Sequence, residues 1–169
     1  MKTTDENGRD HFKGHAIASE QIAKTVMKRL KFDNDTIRKV TKLVAYHDYR
    51  MEPTGANVRR AMHEIGVELF PYYLAVRLAD TKAQSSYERR GKLENIIQIR
   101  ELYRNALRNK ECVTLKDLAV TGTDLINLGI APGKELGTLL NELLDMVIED
   151  PAWNQKGKLC DYVKERFGF

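Results

Sequence analysis

The amino-acid sequence predicts an all-α protein, and three observations carry that reading. Apolar residues recur at spacings of three and four through most of the chain, which draws one helix face after another. No alternation of apolar and polar residues persists for more than a few positions, so no half-buried strand is expected. Turn residues fall between the periodic stretches: Pro53 with Gly55, then Gly66, Gly129, Pro132 and Pro151.

Phe12, His15, Ser19, Ile22, Val26 and Leu30 make one face of a first helix, expected from about residue 10 to 31. Lys31 to Asp35 is a polar break in which Asp33 or Asn34 caps the next helix. That second helix carries Ile37, Val40, Leu43, Val44 and His47 on one stripe, and Met51 to Gly55 follows as a loop. Val58 to Ile65 is a third helix closed by Gly66, and a fourth spans about Leu69 to Ser85 with Tyr73, Val76, Asp80 and Ala83 in register. A long amphipathic helix follows Gly91, from Leu93 to Asn109. Thr121-Gly-Thr-Asp124 has capping-box spacing, with Asp in place of the preferred Glu, and opens a short helix that stops at Gly129. Pro132 is placed at the start of a helix through Leu136, Leu139, Leu140, Leu143, Leu144 and Val147, and Asn154 is placed to cap the last. The expected organisation is a helical domain over 1–90, a connecting helix over 91–110 and a helical tail domain over 111–169.

Composition narrows the function classes. The chain has 169 residues, 42% hydrophobic and 31% charged, a globular balance with enough length for a real core. No apolar run approaches the roughly 18–20 residues that span a bilayer, so no membrane partner is expected. Cys112 and Cys160 are the two cysteines and form no CxxC pair, which excludes a disulfide framework or zinc ribbon and points to the reducing cytoplasm. The net charge of +4 hides an asymmetry. Residues 1–110 hold 22 Lys and Arg against 14 Asp and Glu, whereas residues 111–169 hold 6 against 10. The first segment is the one suited to a polyanion.

Three polar residues lie on apolar stripes: His15, His47 and Asp80. A buried carboxylate needs a partner, so the three are expected to converge, as a hydrogen-bonded cluster or around a metal. His11, four residues before His15, has metal-ligand spacing but equally that of a solvated face, and His63 reads as a surface residue. Basic side chains gather at Arg59-Arg60, at Arg89-Arg90 with Lys92, and along Arg100, Arg104 and Arg108, one turn apart on the long helix. Gly133 and Lys134 open a helix whose N–H groups could meet a phosphate. Each basic group reads equally as a solvated face, with Glu88, Glu94 and Glu101 near enough to pair.

Phe12-Lys-Gly-His15, Leu43-Val-Ala-Tyr-His47 and Leu78-Ala-Asp80 resemble the later part of an HD-superfamily domain. Leu118-Ala-Val-Thr-Gly-Thr-Asp-Leu125, Leu128-Gly-Ile-Ala-Pro-Gly-Lys134 and Leu139-Leu-Asn-Glu-Leu143 are similar to the tail of bacterial CCA-adding tRNA nucleotidyltransferases, of the poly(A) polymerase family. The resemblance runs from about Arg9 to Phe167. It implies the C-terminal body and tail of such an enzyme, which hold the acceptor arm and T-arm of tRNA through backbone and shape. It also implies that the nucleotidyltransferase head, with its paired Asp residues for two Mg²⁺ ions, and the HD dyad lie upstream; His47-Asp48, followed by Tyr49-Arg50, does not match that dyad. No catalytic residue, resident metal or cofactor is therefore expected here. A homodimer is expected, in which N-terminal helices cover apolar stripes that the missing HD helices would pack on. A stand-alone HD-type phosphohydrolase using His15, His47 and Asp80 on a divalent metal, and a helical remnant without activity, are the alternatives.

Overall fold

The computed structural model describes residues 14–84, 86 and 88–168, with 2–4 and 10–12 as backbone. Its helices are α1 (His15–Arg29), α2 (Asn34–Tyr46), α3 (Gly55–Ile65), α4 (Phe70–Ala83), α5 (Arg89–Arg108), α6 (Gly122–Asn127), α7 (Lys134–Glu149) and α8 (Lys156–Phe167). The fold is all-α apart from one short antiparallel pairing of β1 (Lys2–Thr4) with β2 (Asp10–Phe12), in which Lys2 faces Phe12. That pairing corrects the first helix. Residues 10–12 are strand, and Gly14 stands at φ 78, a left-handed conformation that blocks helical continuation from below His15. The expected roles of Phe12 and His11 fall on side chains outside the described residues.

The chain folds as two compact units, Met1–Arg50 with Ile65–Ile96, and Met51–Glu64 with Ile97–Phe169. In the first, α1 lies along α2 and α2 meets α4. Its core is Ile37, Leu69, Phe70, Tyr73, Leu74 and Ile96. Asp33 caps α2 as its sequence position predicts, accepting from the Thr36 N–H at 2.9 Å. The stripe read on α1 is only partly covered: Ser19 and Val26 are half-buried, but no residue of α1 is fully buried, and Ile22 and Leu30 stand 64% and 60% exposed. The stripe on α4 is displaced by one position. Tyr73, Arg77 and Thr81 face inward, while Val76 is 36% exposed and Ala83 is exposed.

The second unit is closed by Leu125, Leu139, Leu143, Leu144, Val147, Ile148, Leu159 and Val163. Burial pushes the thiol of Cys112 up to about 11, so this cysteine is a packing residue and not a nucleophile. The α6 signals hold in detail. Thr121 and Asp124 form the reciprocal capping box, and Gly129, at φ 107, lets the Ile130 N–H reach back to the Leu125 carbonyl at 3.1 Å. Two placements differ. Pro132 precedes α7 instead of opening it, because Gly133 takes φ 148 just before Lys134. Asn154 does not cap α8, whose N-cap is Gln155; its side chain instead clamps an earlier loop, accepting from the Ala119 N–H at 2.7 Å and donating to the Asp117 carbonyl at 3.0 Å.

Asp124 also receives Lys156 Nζ at 2.6 Å, and the hydrogen bonds from Lys156 and Thr121 hold its carboxyl at about 2 instead of 3.8. A depressed folded-state value means that its stabilisation is complete above the unfolded value and drains away as pH falls through the folded one. Asp124→Asn should therefore lower the melting temperature near neutrality. Its deficit against the parent protein should close as pH falls from about 4 towards 2 in a calorimetric series.

No helix among the described residues is long and apolar enough to cross a membrane.

Candidate nucleic-acid interface

The basic residues singled out in the sequence separate into three kinds. Arg59, on α3, is buried at 8% exposure. Its Nε donates to the Ile148 carbonyl at 2.7 Å, Nη2 to the Glu149 carbonyl at 3.0 Å, and Nη1 to Glu111 Oε2 at 2.8 Å. With Nε, Nη1 and Nη2 all held by protein acceptors, one of them a carboxylate, this guanidinium is already neutralised and has no nitrogen left for a phosphate, and Arg59 is corrected from an interface residue to a structural clamp. Its neighbour Arg60 is half-exposed and faces Asp145 at 3.6 Å and Glu149 at 3.4 Å.

Arg100, Arg104 and Arg108 stand in one line on the exposed side of α5, opposite the buried Ile99 and Ala106. Arg104 donates to Glu101 at 2.8 Å. That pair is solvent-exposed on both sides and contributes little, so a competing phosphate can displace the glutamate. Among the described residues Arg100 and Arg108 have no acidic partner within ion-pair distance. Arg90, nearer the start of α5, pairs with Glu94 at 2.9 Å on the surface.

Arg89 and Lys92 belong to an inward-turned network of the first unit. Its centre is Gln84, just past the end of α4. Gln84 Nε2 donates to Asp80 Oδ2 at 2.6 Å, its Oε1 accepts from Lys92 Nζ at 3.1 Å, and its carbonyl accepts from Arg89 Nη2. Arg89 Nε is buried without a partner among the described residues. Arg77, one turn before Asp80 and Thr81, is 8% exposed. It donates to the Tyr73 hydroxyl at 3.2 Å and reaches Asn95 Oδ1 at 3.5 Å. The Tyr73 hydroxyl in turn donates to the Tyr49 carbonyl at 2.7 Å, and burial raises its phenol above the ordinary range against the opposing pull of Arg77.

Of the three polar residues expected to converge, two meet. His15 Nε2 and His47 Nε2 lie 3.0 Å apart, with the rings edge to face. His47 Nδ1 sits 2.6 Å from the Val44 carbonyl and must carry a proton there. The expected burial does not hold, since His15 is exposed and His47 and Asp80 are half-buried. Asp80 turns to Gln84 instead of the imidazoles. Among the described residues no three His, Cys, Asp or Glu side chains converge as a metal set. The described residues do not fit an HD-type metal centre.

Lys134 lines a groove between α7 and α8 with Glu135, Thr138, Leu139, Glu142, Arg166 and Phe167. Arg166 is paired with Glu142 there.

The model of the family tRNA nucleotidyltransferase domain 2 matches this chain over residues 15–163. The chain belongs to that family. No curated protein and no solved structure matches it. The match begins at the first residue of α1 and ends within α8, so the β1–β2 pairing lies outside it. Of the basic and imidazole side chains whose contacts are given in this subsection, all but Arg166 lie inside the match. Sequence reading missed Arg77, which sits four residues after Tyr73 on the buried face of α4. An arginine in register with a buried tyrosine was the available signal.

Proposed function

We propose that this chain is the tRNA-binding body and tail portion of a CCA-adding tRNA nucleotidyltransferase, working in the cytoplasm. The observation that carries the reading is the family match across nearly all of α1 to α8. The exposed Arg100–Arg104–Arg108 line supports it, since phosphate contacts of this kind position a duplex without reading its bases. A hairpin made of acceptor stem and T-arm should compete with whole tRNA for the chain, and an anticodon hairpin of equal length should compete far less. Equal competition by both hairpins would remove the arm-specific part of the reading.

The chain itself should add no nucleotide. Transfer needs carboxylates paired on neighbouring strand positions to hold two metals, and the β1 and β2 segments contribute one carboxylate, Asp10. Incubation with tRNA lacking its 3′ end, CTP, ATP and Mg²⁺ should leave the RNA unextended; extension above a protein-free control would contradict this.

A two-fold homodimer completes the proposal. Ile17, Ile22, Leu30 and Phe32, on and just after α1, are 66%, 64%, 60% and 49% exposed, and these are the side chains that a second copy would cover. Sedimentation at tens of micromolar should report twice the 19.4 kDa chain mass, and Ile22→Glu should return it to a monomer. A monomer before substitution would contradict the dimer.

A further inference from the structure

Arg77 is a buried cation in an unusual position. It is 92% removed from solvent by its 8% exposure, yet among the described residues no carboxylate lies within ion-pair distance. Its two hydrogen-bond partners, a phenol and a carboxamide oxygen, are neutral and engage two of its five N–H donors. Burying a charge in this way is costly unless something anionic completes it.

The guanidinium lines a small pocket of the first unit with His47, Asp48, Arg50, Asp80, Gln84 and Lys92. Three cations face two carboxylates there. One of these, Asp48, is held by Arg50 Nε and Nη2 at 3.2 and 3.0 Å on the pocket rim. About 30 Å³ is open to the centre of a water molecule. At ~10–15 Å³ per water this is space for two or three waters, whose places the oxygens of an anion would take. The remaining donors have the geometry such an anion takes: a planar fork from Arg77 and a mobile ammonium from Lys92.

We propose that the Arg77–Lys92–Arg50 pocket is a phosphate-binding site, and that the phosphate it takes is one of the RNA backbone. The attribution to RNA rests on the tRNA-binding function proposed above; the phosphate site itself does not. Arg77 supplies the buried charge, Lys92 and Arg50 close over the anion from the rim, and Asp80, held aside by Gln84, is the group that limits affinity.

The test uses the whole chain and inorganic phosphate as the probe, at constant ionic strength with chloride as the control. Phosphate should shift the Arg77 side-chain N–H resonances and raise the melting temperature, and chloride should do neither. Lys92→Gln should weaken phosphate binding about tenfold, and Asp80→Asn should tighten it. Both positions are half-buried, so they report even if Arg77→Met fails to fold. A folded protein whose Arg77 resonances and melting temperature ignore phosphate would overturn the site. If phosphate binds and Lys92→Gln also weakens tRNA binding, the RNA attribution stands. If phosphate binds while tRNA affinity is unmoved by Lys92→Gln, that attribution is overturned and the pocket takes free phosphate. A wild-type chain that binds phosphate but no tRNA at all would overturn the attribution together with the tRNA reading, and leave the phosphate site intact.

Discussion

Arg59→Met should lower the stability of the protein by about 3 kcal/mol, more than any exposed arginine could. The substitution keeps much of the side-chain volume but removes three hydrogen bonds in one step. It strands the Ile148 and Glu149 carbonyls at the end of α7 and leaves Glu111, with its side chain only 18% exposed, without its cation. A half-buried carboxylate deprived of its partner is a large part of the loss, because its desolvation is no longer offset. Glu111→Gln should cost less, since the two carbonyls keep their donor. Urea unfolding of the three proteins would show the order parent, Glu111→Gln, Arg59→Met. An Arg59→Met protein as stable as the parent would mean that the clamp is not formed in solution.

The second large effect is on binding. Reversing Arg100, Arg104 and Arg108 together to glutamate should weaken tRNA binding on the order of 100-fold at low salt. All three side chains are exposed on α5, so folding should be untouched, and the circular dichroism and melting temperature of the variant should match the parent. The loss should be about equal for tRNAs of different sequence, because contacts to phosphate carry no base information. Binding unchanged by the triple reversal would move the interface away from α5, first to Lys134 and the groove it lines.

Much of this fold is legible in the sequence, and the failures have identifiable causes. Signals confined to a few neighbouring residues worked. The Asp33 cap, the Thr121–Asp124 box and the Gly129 stop are local hydrogen-bond chemistry and appear as expected. Periodicity alone was less reliable for choosing the buried face. On α4 the apolar pattern Tyr73–Val76–Asp80–Ala83 competes with Phe70–Tyr73–Arg77–Thr81, and tertiary packing selects the second although it includes an arginine. On α1 the periodic stripe reflects a sequence pattern that this unit covers only in part.

The basic residues show the same division. Their clustering was visible, but whether an arginine faces solvent or the backbone of a helix 90 residues later was not. Arg59 and Arg60 are adjacent in sequence; one is enclosed by the end of α7 and the other half-exposed. Asn154 is a comparable case, since its position suits a cap and its side chain instead holds residues 117 and 119. The long-range partner, not the local spacing, decides each of these outcomes.

The central claim is that this chain grips tRNA through its phosphates, and a salt titration of tRNA affinity tests it most directly. Fluorescence anisotropy with labelled tRNA across a tenfold range of KCl should show binding that weakens steeply, with a log–log slope of about −3 if the three α5 arginines supply most of the contacts. The slope should flatten in the triple-glutamate variant. Absence of binding at low salt and tens of micromolar protein, or an affinity indifferent to salt, would contradict the account.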